Sequence, residues 1–215
     1  MNKRLVFPLL LFTFSLVSNA SEVELNLEKI PADRASVLRG AEHVVNSCVS
    51  CHALKYIRYN DMLTVGVEPA MVDTWRGSNP INARIMAQIP PEAAAAAFGG
   101  IVPPDLSLMA IARDGGEHYL FSYLLGYFVN DKGETTNHIY PGTRMPDTLA
   151  ISTTTDVKQR AEISTKAKEI TAFLNWAADP HAEERTQLGC YVIAYLVLLT
   201  VLLYLWKAQI WRKLD

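Results

Sequence analysis

An uncharged apolar segment near the C-terminus limits what this chain of 215 residues can fold into. It runs from Leu188 to Trp206 without a single charged residue. At about 1.5 Å per helical residue it would measure roughly 28 Å, close to the hydrocarbon thickness of a bilayer. A helix that is apolar on every face is seldom the core helix of a soluble domain. We therefore predict a transmembrane anchor over residues 188–206, followed by a short tail over residues 207–215.

The two ends of the chain indicate how this anchor is oriented. Basic residues follow the apolar segment, and positively charged flanks stay in the cytoplasm. At the N-terminus, basic residues precede a short apolar run that ends on small residues at Ala20, the pattern of a secretory signal peptide. The alternative is an uncleaved N-terminal anchor, for which a run of about 13 residues is short. We predict that residues 1–20 are cleaved and that residues 21–187 form a periplasmic domain on the bacterial inner membrane.

The charge balance argues against nucleic acid as a partner. The whole chain has 20 Lys and Arg residues against 22 Asp and Glu residues, a net charge of −2. The exported domain over residues 21–187 contains 15 basic and 21 acidic residues, which makes it net −6. Binding to phosphate backbones requires an excess of basic residues. An acidic domain of this kind would instead attract basic partners.

The segment Cys48-Val49-Ser50-Cys51-His52 is the C-x-x-C-H signature of c-type haem attachment. Two thiols at this spacing can form thioethers with the two vinyl groups of haem, and His52 is then held below the iron as its proximal ligand. A redox C-x-x-C site would sit in a βαβ pattern, which the sequence does not show. A structural zinc site would need a second ligand pair, and the remaining cysteine, Cys190, lies in the predicted anchor. The motif predicts one covalently bound haem c.

The residues alone leave the second axial ligand of the iron open between two side chains. Met145 lies in the loop Tyr140–Pro146, which contains proline and glycine and can present a sulfur atom without adjustment. His138 precedes this loop and is the alternative ligand. The other methionines of the exported domain lie in apolar or helical contexts, where methionine usually fills the core.

Helical patterns dominate the exported domain. Residues Ala35 to Ser47 have an apolar stripe at helical spacing, and Gly40 within them would let another helix approach closely. A second helical pattern runs from Asp156 to Ala178. No alternation is strong enough to predict a sheet. We predict a mainly α fold: a class I cytochrome c-like haem domain with long loops, and one C-terminal transmembrane helix.

Several motifs in a fixed order are more specific than the haem signature alone. They include Pro103-Pro104-Asp105-Leu106-Ser107, then Gly115-Gly116-Glu117, Met145-Pro146, and the stretch from Phe173 to Pro180 that leads into the anchor. In this set and order, from about Arg39 to the C-terminus, the chain resembles the cytochrome c1 family of bacterial cytochrome bc1 complexes, the ubiquinol–cytochrome c oxidoreductases.

This resemblance implies roles for individual residues. Cys48 and Cys51 would bind haem c, and His52 and Met145 would be the axial ligands, which decides the ligand question by family rather than by spacing. Arg113 and Tyr119 match family positions that contact a haem propionate. A buried propionate needs a fixed cation or hydrogen-bond donor, which agrees with these residue types.

The resemblance also implies a function and partners. The domain would take single electrons from a Rieske iron–sulfur protein and pass them to a soluble or membrane-bound c-type cytochrome, beside a cytochrome b subunit in the bilayer. It would be an electron carrier and not an enzyme on its own. The alternatives are another membrane-anchored c-type cytochrome, such as a terminal-oxidase subunit, or a haem peroxidase or gas sensor. The Pro103–Ser107 segment disfavours the first, and an iron closed by Met145 disfavours the second.

Overall fold

The computed structural model describes residues 23–212. The signal peptide predicted over residues 1–20, and the end of the predicted tail over residues 213–215, lie outside the described residues. The helices of the described part are α1 (Arg34–Ser47), α2 (Asp61–Val65), α3 (Pro69–Arg76), α4 (Pro91–Ala97), α5 (Met109–Ala112), α6 (Gly116–Leu125), α7 (Val157–Ala178) and α8 (Ala182–Trp211). The predicted mainly α architecture is confirmed.

Two small antiparallel sheets accompany the helices, and sequence analysis did not predict them. Strand β1 (Leu54–Arg58) pairs with β2 (Arg84–Ile85), and β3 (Tyr127–Val129) pairs with β4 (Thr135–Asn137). Strands β2, β3 and β4 have only two or three residues, too few to show the apolar–polar alternation by which a strand is recognised in a sequence. Burial along the five residues of β1 does not alternate. They hold loops in place and build no layer of their own.

Helix α1 has the cap and the apolar stripe that its sequence requires. The side chain of Asp33 caps the helix by accepting a hydrogen bond from the backbone N–H of Ser36 at 3.0 Å. The buried apolar face is formed by residues three or four positions apart, namely Val37, Ala41, Val44 and Val45. The helix predicted over 35–47 is therefore confirmed to within one residue.

Helix α7 is built in the same way. The carboxylate of Asp156 accepts the backbone N–H of Gln159 at 2.8 Å and begins the helix. The buried positions begin at Ala167, and Ile170 and Phe173 follow it into the main hydrophobic core. Residues 157–162 at the start of the helix are exposed. The second predicted helix is also confirmed.

Helices α1 and α7 form the most extensive helix–helix contact in residues 23–212. They meet at Gly40, where an added Cβ atom would lie 1.9 Å from the backbone oxygen of Glu169 and 2.8 Å from Cβ of Phe173. The buried carboxylate of Glu169 is paired across this crossing with Nε of Arg39 at 2.5 Å and Nε2 of His43 at 3.2 Å. The close approach predicted at Gly40 is present.

Helix α8 contains a segment that is long and apolar enough to cross a membrane. This segment, Glu184–Trp211, has 28 residues, and none of the side chains in its most apolar part is buried by the rest of the chain. It includes residues 188–206, the segment predicted as the anchor. Within the part of the chain that the structure describes, no other helix meets the same conditions of length and composition. The bounds of the anchor itself stay a prediction.

Replacing Gly40 by alanine tests the helix crossing. We expect Gly40→Ala to lower the free energy of unfolding by about 2 kcal/mol or more, because the new methyl group meets a backbone oxygen that cannot move without shifting α7. Urea denaturation of the detergent-solubilised protein measures the effect. Gly142→Ala is the control, since nothing lies closer than 3.8 Å to its added Cβ. Equal midpoints for the two variants would contradict the tight crossing.

Candidate functional site

The haem signature forms a tight turn at the end of α1. Residues Cys48–Ser50 make a single turn of 3-10 helix. The backbone carbonyl of Cys48 accepts the N–H groups of Cys51 and His52 at 3.0 and 2.8 Å. Both cysteines are free and half-buried. The turn therefore carries two thiols and an imidazole within five residues.

The imidazole of His52 is fixed by one hydrogen bond. Its Nδ1 lies 2.7 Å from the backbone oxygen of Pro104. A carbonyl can only accept, so Nδ1 carries the proton and Nε2 carries a lone pair. In the described residues, Nε2 makes no hydrogen bond to the protein. Burial lowers the pKa of His52, although the Pro104 bond and the charge of Asp105 act in the opposite direction, and this lowering favours the neutral ring. This is the form that binds a metal.

Four hydrogen bonds join residues 52–56, at the end of the haem motif and just after it, to residues 104–107. Besides the bond from His52 to Pro104, the backbone N–H of Leu106 donates to Ala53 O at 2.9 Å. The Asp105 carboxylate accepts from the backbone N–H of Lys55 at 2.8 Å, and the Ser107 hydroxyl accepts from the backbone N–H of Tyr56 at 3.1 Å. The Pro-Pro-Asp-Leu-Ser motif thus has a local purpose: it holds the carbonyl that orients His52.

The electrostatics of Cys48 differ from those of a redox dithiol. Burial raises the pKa of its thiol to about 11. Cysteines that take part in disulfide exchange usually have a lowered pKa, because the thiolate is the nucleophile. The raised pKa of Cys48 therefore argues against a thiol–disulfide exchange site.

Met145 is half-buried and packs against the hydrophobic core. Its backbone is held on both sides of the residue. The N–H of Met145 donates to the Thr143 hydroxyl at 3.2 Å, and the Tyr127 hydroxyl bonds to the Met145 carbonyl at 3.0 Å. Tyr123 contacts both the Thr143 and Tyr127 hydroxyls, at 2.5 and 3.0 Å.

Sequence analysis missed Tyr123 and Tyr127. The available signal was the spacing of Tyr119 and Tyr123, which are four residues apart and so lie on one side of α6, followed four residues later by Tyr127 at the start of β3. Tyr119 and Tyr123 stack with ring centroids 6.2 Å apart, and Tyr123 meets the Tyr127 ring edge-on at 5.6 Å. Burial raises the pKa of Tyr127, so its hydroxyl stays protonated.

His138, the alternative ligand, is exposed, and both its ring and its backbone contact other residues. Its ring stacks on Phe128 with centroids 3.8 Å apart and planes 7° apart. Its backbone N–H donates to Gly126 O at 2.9 Å. These contacts account for His138 without a role at the iron.

The two residues expected near a propionate lie side by side. The guanidinium carbon of Arg113 is 6.0 Å from the centre of the Tyr119 ring. Arg113 is exposed, and among residues 23–212 it forms no ion pair with a carboxylate. Burial raises the pKa of Tyr119, opposed by the charge of Arg113, so the phenol remains a hydrogen-bond donor. The pair offers a cation and a donor without an acidic partner.

These donors fit a c-type haem. The turn provides two free thiols beside an imidazole whose Nε2 is unoccupied by protein. The loop provides a thioether sulfur on a backbone that is fixed on both sides. Thiols for covalent attachment, imidazole and thioether sulfur are the ligand types of a low-spin cytochrome c haem.

Residues 74–214 match the model of the Cytochrome C1 family. The matched range begins after the Cys48–His52 turn, so the haem motif and the family match are separate observations. Cytochrome c1 of Rhodospirillum rubrum is 30% identical over 226 aligned positions, which cover 85% of this chain and 83% of that protein.

Two further relatives have different names. A protein named ammonia monooxygenase gamma subunit, from Nitrosomonas europaea, is 27% identical over 240 aligned positions, covering 100% of this chain and 99% of that protein. A protein named cytochrome b/c1, from Bradyrhizobium diazoefficiens, is 28% identical over 228 positions, covering 83% of this chain and 33% of that protein.

Proposed function

The chain belongs to the cytochrome c1 family, and we propose that it passes single electrons from a Rieske iron–sulfur protein to a c-type cytochrome. Membership makes it the electron-transfer haem subunit of a bc1 complex. The observation that carries the proposal is that the chain has both proposed ligands in fixed segments. His52 is held by Pro104 in the Cys48–His52 turn, and the backbone of Met145 is held on both sides in its loop.

Cys48 and Cys51 would attach one haem c through two thioethers. Their positions on one short turn beside His52 support this. Haem supplies the one-electron carrier of the protein. The two thioethers would keep the haem bound to the protein in both oxidation states of its iron.

His52 and Met145 would be the axial ligands. The bond from His52 to the Pro104 carbonyl holds Nε2 as the ligating atom and fixes the plane of the ring. The Thr143 and Tyr127 hydroxyls hold the backbone of Met145. Both ligands are neutral, and histidine–methionine ligation gives the high reduction potential needed to accept electrons from a Rieske centre.

Arg113 and Tyr119 would contact a haem propionate. An exposed guanidinium without a carboxylate partner in the described residues, next to a phenol that stays protonated, can hold an anionic group. None of these residues needs to bind or transform an organic substrate. As a member of the cytochrome c1 family the chain is an electron-carrier subunit, and quinol oxidation would belong to its partner subunits.

The haem domain would lie in the periplasm, with α8 anchoring it beside a cytochrome b subunit. The apolar side chains of Glu184–Trp211 and the basic residues that follow them support this topology. The name of the Bradyrhizobium relative, cytochrome b/c1, supports cytochrome b as the partner. The net charge of −6 on residues 21–187 favours a basic patch on the electron acceptor.

Quinol reduction tests the function in the complex. Purified from membranes in mild detergent, the full chain should be found with cytochrome b and a Rieske protein, and quinol should reduce its haem. A chain ending at Arg185 should keep a haem that dithionite reduces, but quinol should not reduce it, because the helix that contacts the membrane partners is gone. Equal reduction of both forms by quinol would contradict assembly through α8.

Covalent attachment is tested by removing each thiol in turn. We expect the haem of the native protein to stay with the polypeptide in acid–acetone, because two thioethers hold it. Cys48→Ala or Cys51→Ala should leave at most one thioether and sharply lower the amount of haem-containing protein. Cys190→Ala is the control, since this cysteine lies in α8, and it should behave as wild type. Haem in the organic phase from the native protein would contradict covalent attachment.

The sixth ligand is tested by Met145→Leu, which keeps the side-chain volume and removes the sulfur. We expect loss of the near-infrared sulfur–iron charge-transfer band, a lower reduction potential, and binding of carbon monoxide to the reduced protein. His138→Ala is the matched control and should retain the band, because its ring stacks on Phe128 at the surface. Rapid carbon monoxide binding to the wild type would favour a gas sensor or peroxidase instead.

A further inference from the structure

Three hydroxyl groups surround the backbone of Met145. They belong to Thr143, which lies in the same loop as Met145, to Tyr123 on α6 and to Tyr127 on β3. Thr143 lies 2.5 Å from Tyr123, and Tyr123 lies 3.0 Å from Tyr127, measured between the hydroxyl oxygens. The two ends of this chain meet the N–H and the carbonyl of the same residue, Met145, at 3.2 and 3.0 Å.

The Tyr127 hydroxyl is the donor to two acceptors, the Met145 carbonyl and the Tyr123 hydroxyl oxygen, both at 3.0 Å. A phenol has one proton and a carbonyl can only accept, so the two acceptors share that proton. Either hydroxyl can donate in the contact between Tyr123 and Thr143.

At the other end of this chain of contacts, the Thr143 hydroxyl oxygen accepts the N–H of Met145 at 3.2 Å. The three hydroxyls are thus connected to one another, and their contacts form a ring that begins and ends on the backbone of Met145. Hydrogen bonds that are connected in this way can strengthen one another.

We propose that Thr143, Tyr123 and Tyr127 are positioning residues whose hydrogen-bond ring clamps the backbone of Met145 and so keeps its sulfur on the haem iron. The proposal rests on the proposed function, because it takes Met145 as the axial ligand. None of the three side chains needs to touch the haem for this role.

The ring connects a loop to rigid parts of the fold. Tyr127 is buried, with 5% of its surface exposed, and its backbone is paired in the β3–β4 sheet. Tyr123 lies on α6, which packs against α7. The start of the same loop is held by buried Asn137, which donates to Tyr123 O at 2.8 Å and accepts from the N–H of Ile139 at 2.9 Å. The loop is therefore fixed before and at its ligand.

Binding of imidazole to the oxidised protein measures the clamp, because external imidazole can reach the iron only after the Met145 sulfur has left it. We propose three single variants that remove one hydroxyl each and keep the shape: Tyr123→Phe, Tyr127→Phe and Thr143→Val. Each should bind imidazole about fivefold faster or more, the factor that one hydrogen bond typically provides. The charge-transfer band should also disappear at a lower temperature, well before the helices unfold.

A double variant tests whether these hydrogen bonds act together as one ring or independently of one another. Once one bond is lost the ring is open, so Tyr123→Phe with Tyr127→Phe should differ from the larger single effect by less than about twofold. Tyr56→Phe is the matched control, because Tyr56 is exposed and its hydroxyl makes no hydrogen bond in the described residues. It should bind imidazole at the wild-type rate.

The possible outcomes separate the positioning role of the hydrogen-bond ring from the assignment of Met145 as the axial ligand. If the wild type shows the charge-transfer band and all three variants behave like Tyr56→Phe, the ring has no positioning role and the ligand assignment stands. If the wild type lacks the band, the ligand assignment fails and the ring proposal fails with it. Three variants test the same ring, so one that fails to accumulate leaves two that decide the question.

Discussion

The close crossing of α1 and α7 at Gly40 determines where the haem motif stands. Since no side chain separates the two backbones there, α1 has one available position against α7, and the Cys48–His52 turn follows directly from its end. The ion pairs of Glu169 with Arg39 and His43 lie across the same contact. A buried carboxylate needs such partners, so they fix how the two helices are rotated as well as their separation.

The two proposed axial ligands are held in different ways. His52 is held by its own side chain, through Nδ1 and the Pro104 carbonyl. Methionine sulfur offers no N–H group that could be held in the same manner, so Met145 is held through its backbone by hydroxyl groups. The first device is local to two segments, whereas the second requires α6, β3 and the loop to come together.

This difference explains what the sequence could and could not predict. Helices α1 and α7, the haem turn and the tight approach at Gly40 depend on local spacing, and they were predicted within a residue or two. The β strands and the tyrosine ring depend on contacts between segments, which short runs of residues do not encode. Spacing alone likewise could not separate Met145 from His138, because what each residue contacts depends on the fold: Met145 packs against the core, whereas the exposed His138 stacks on the half-buried ring of Phe128.

A one-electron carrier works best when its ligands keep the same positions in both oxidation states, because every atom that must move slows the transfer. The contacts around the proposed ligands meet this condition, since none of them depends on a group that changes its charge. Burial holds His52 neutral, and burial keeps the Tyr127 hydroxyl protonated. In the proposed function, the change in charge would then be confined to the iron, and the protein would respond to it with fixed dipoles and without proton movement at the proposed ligands.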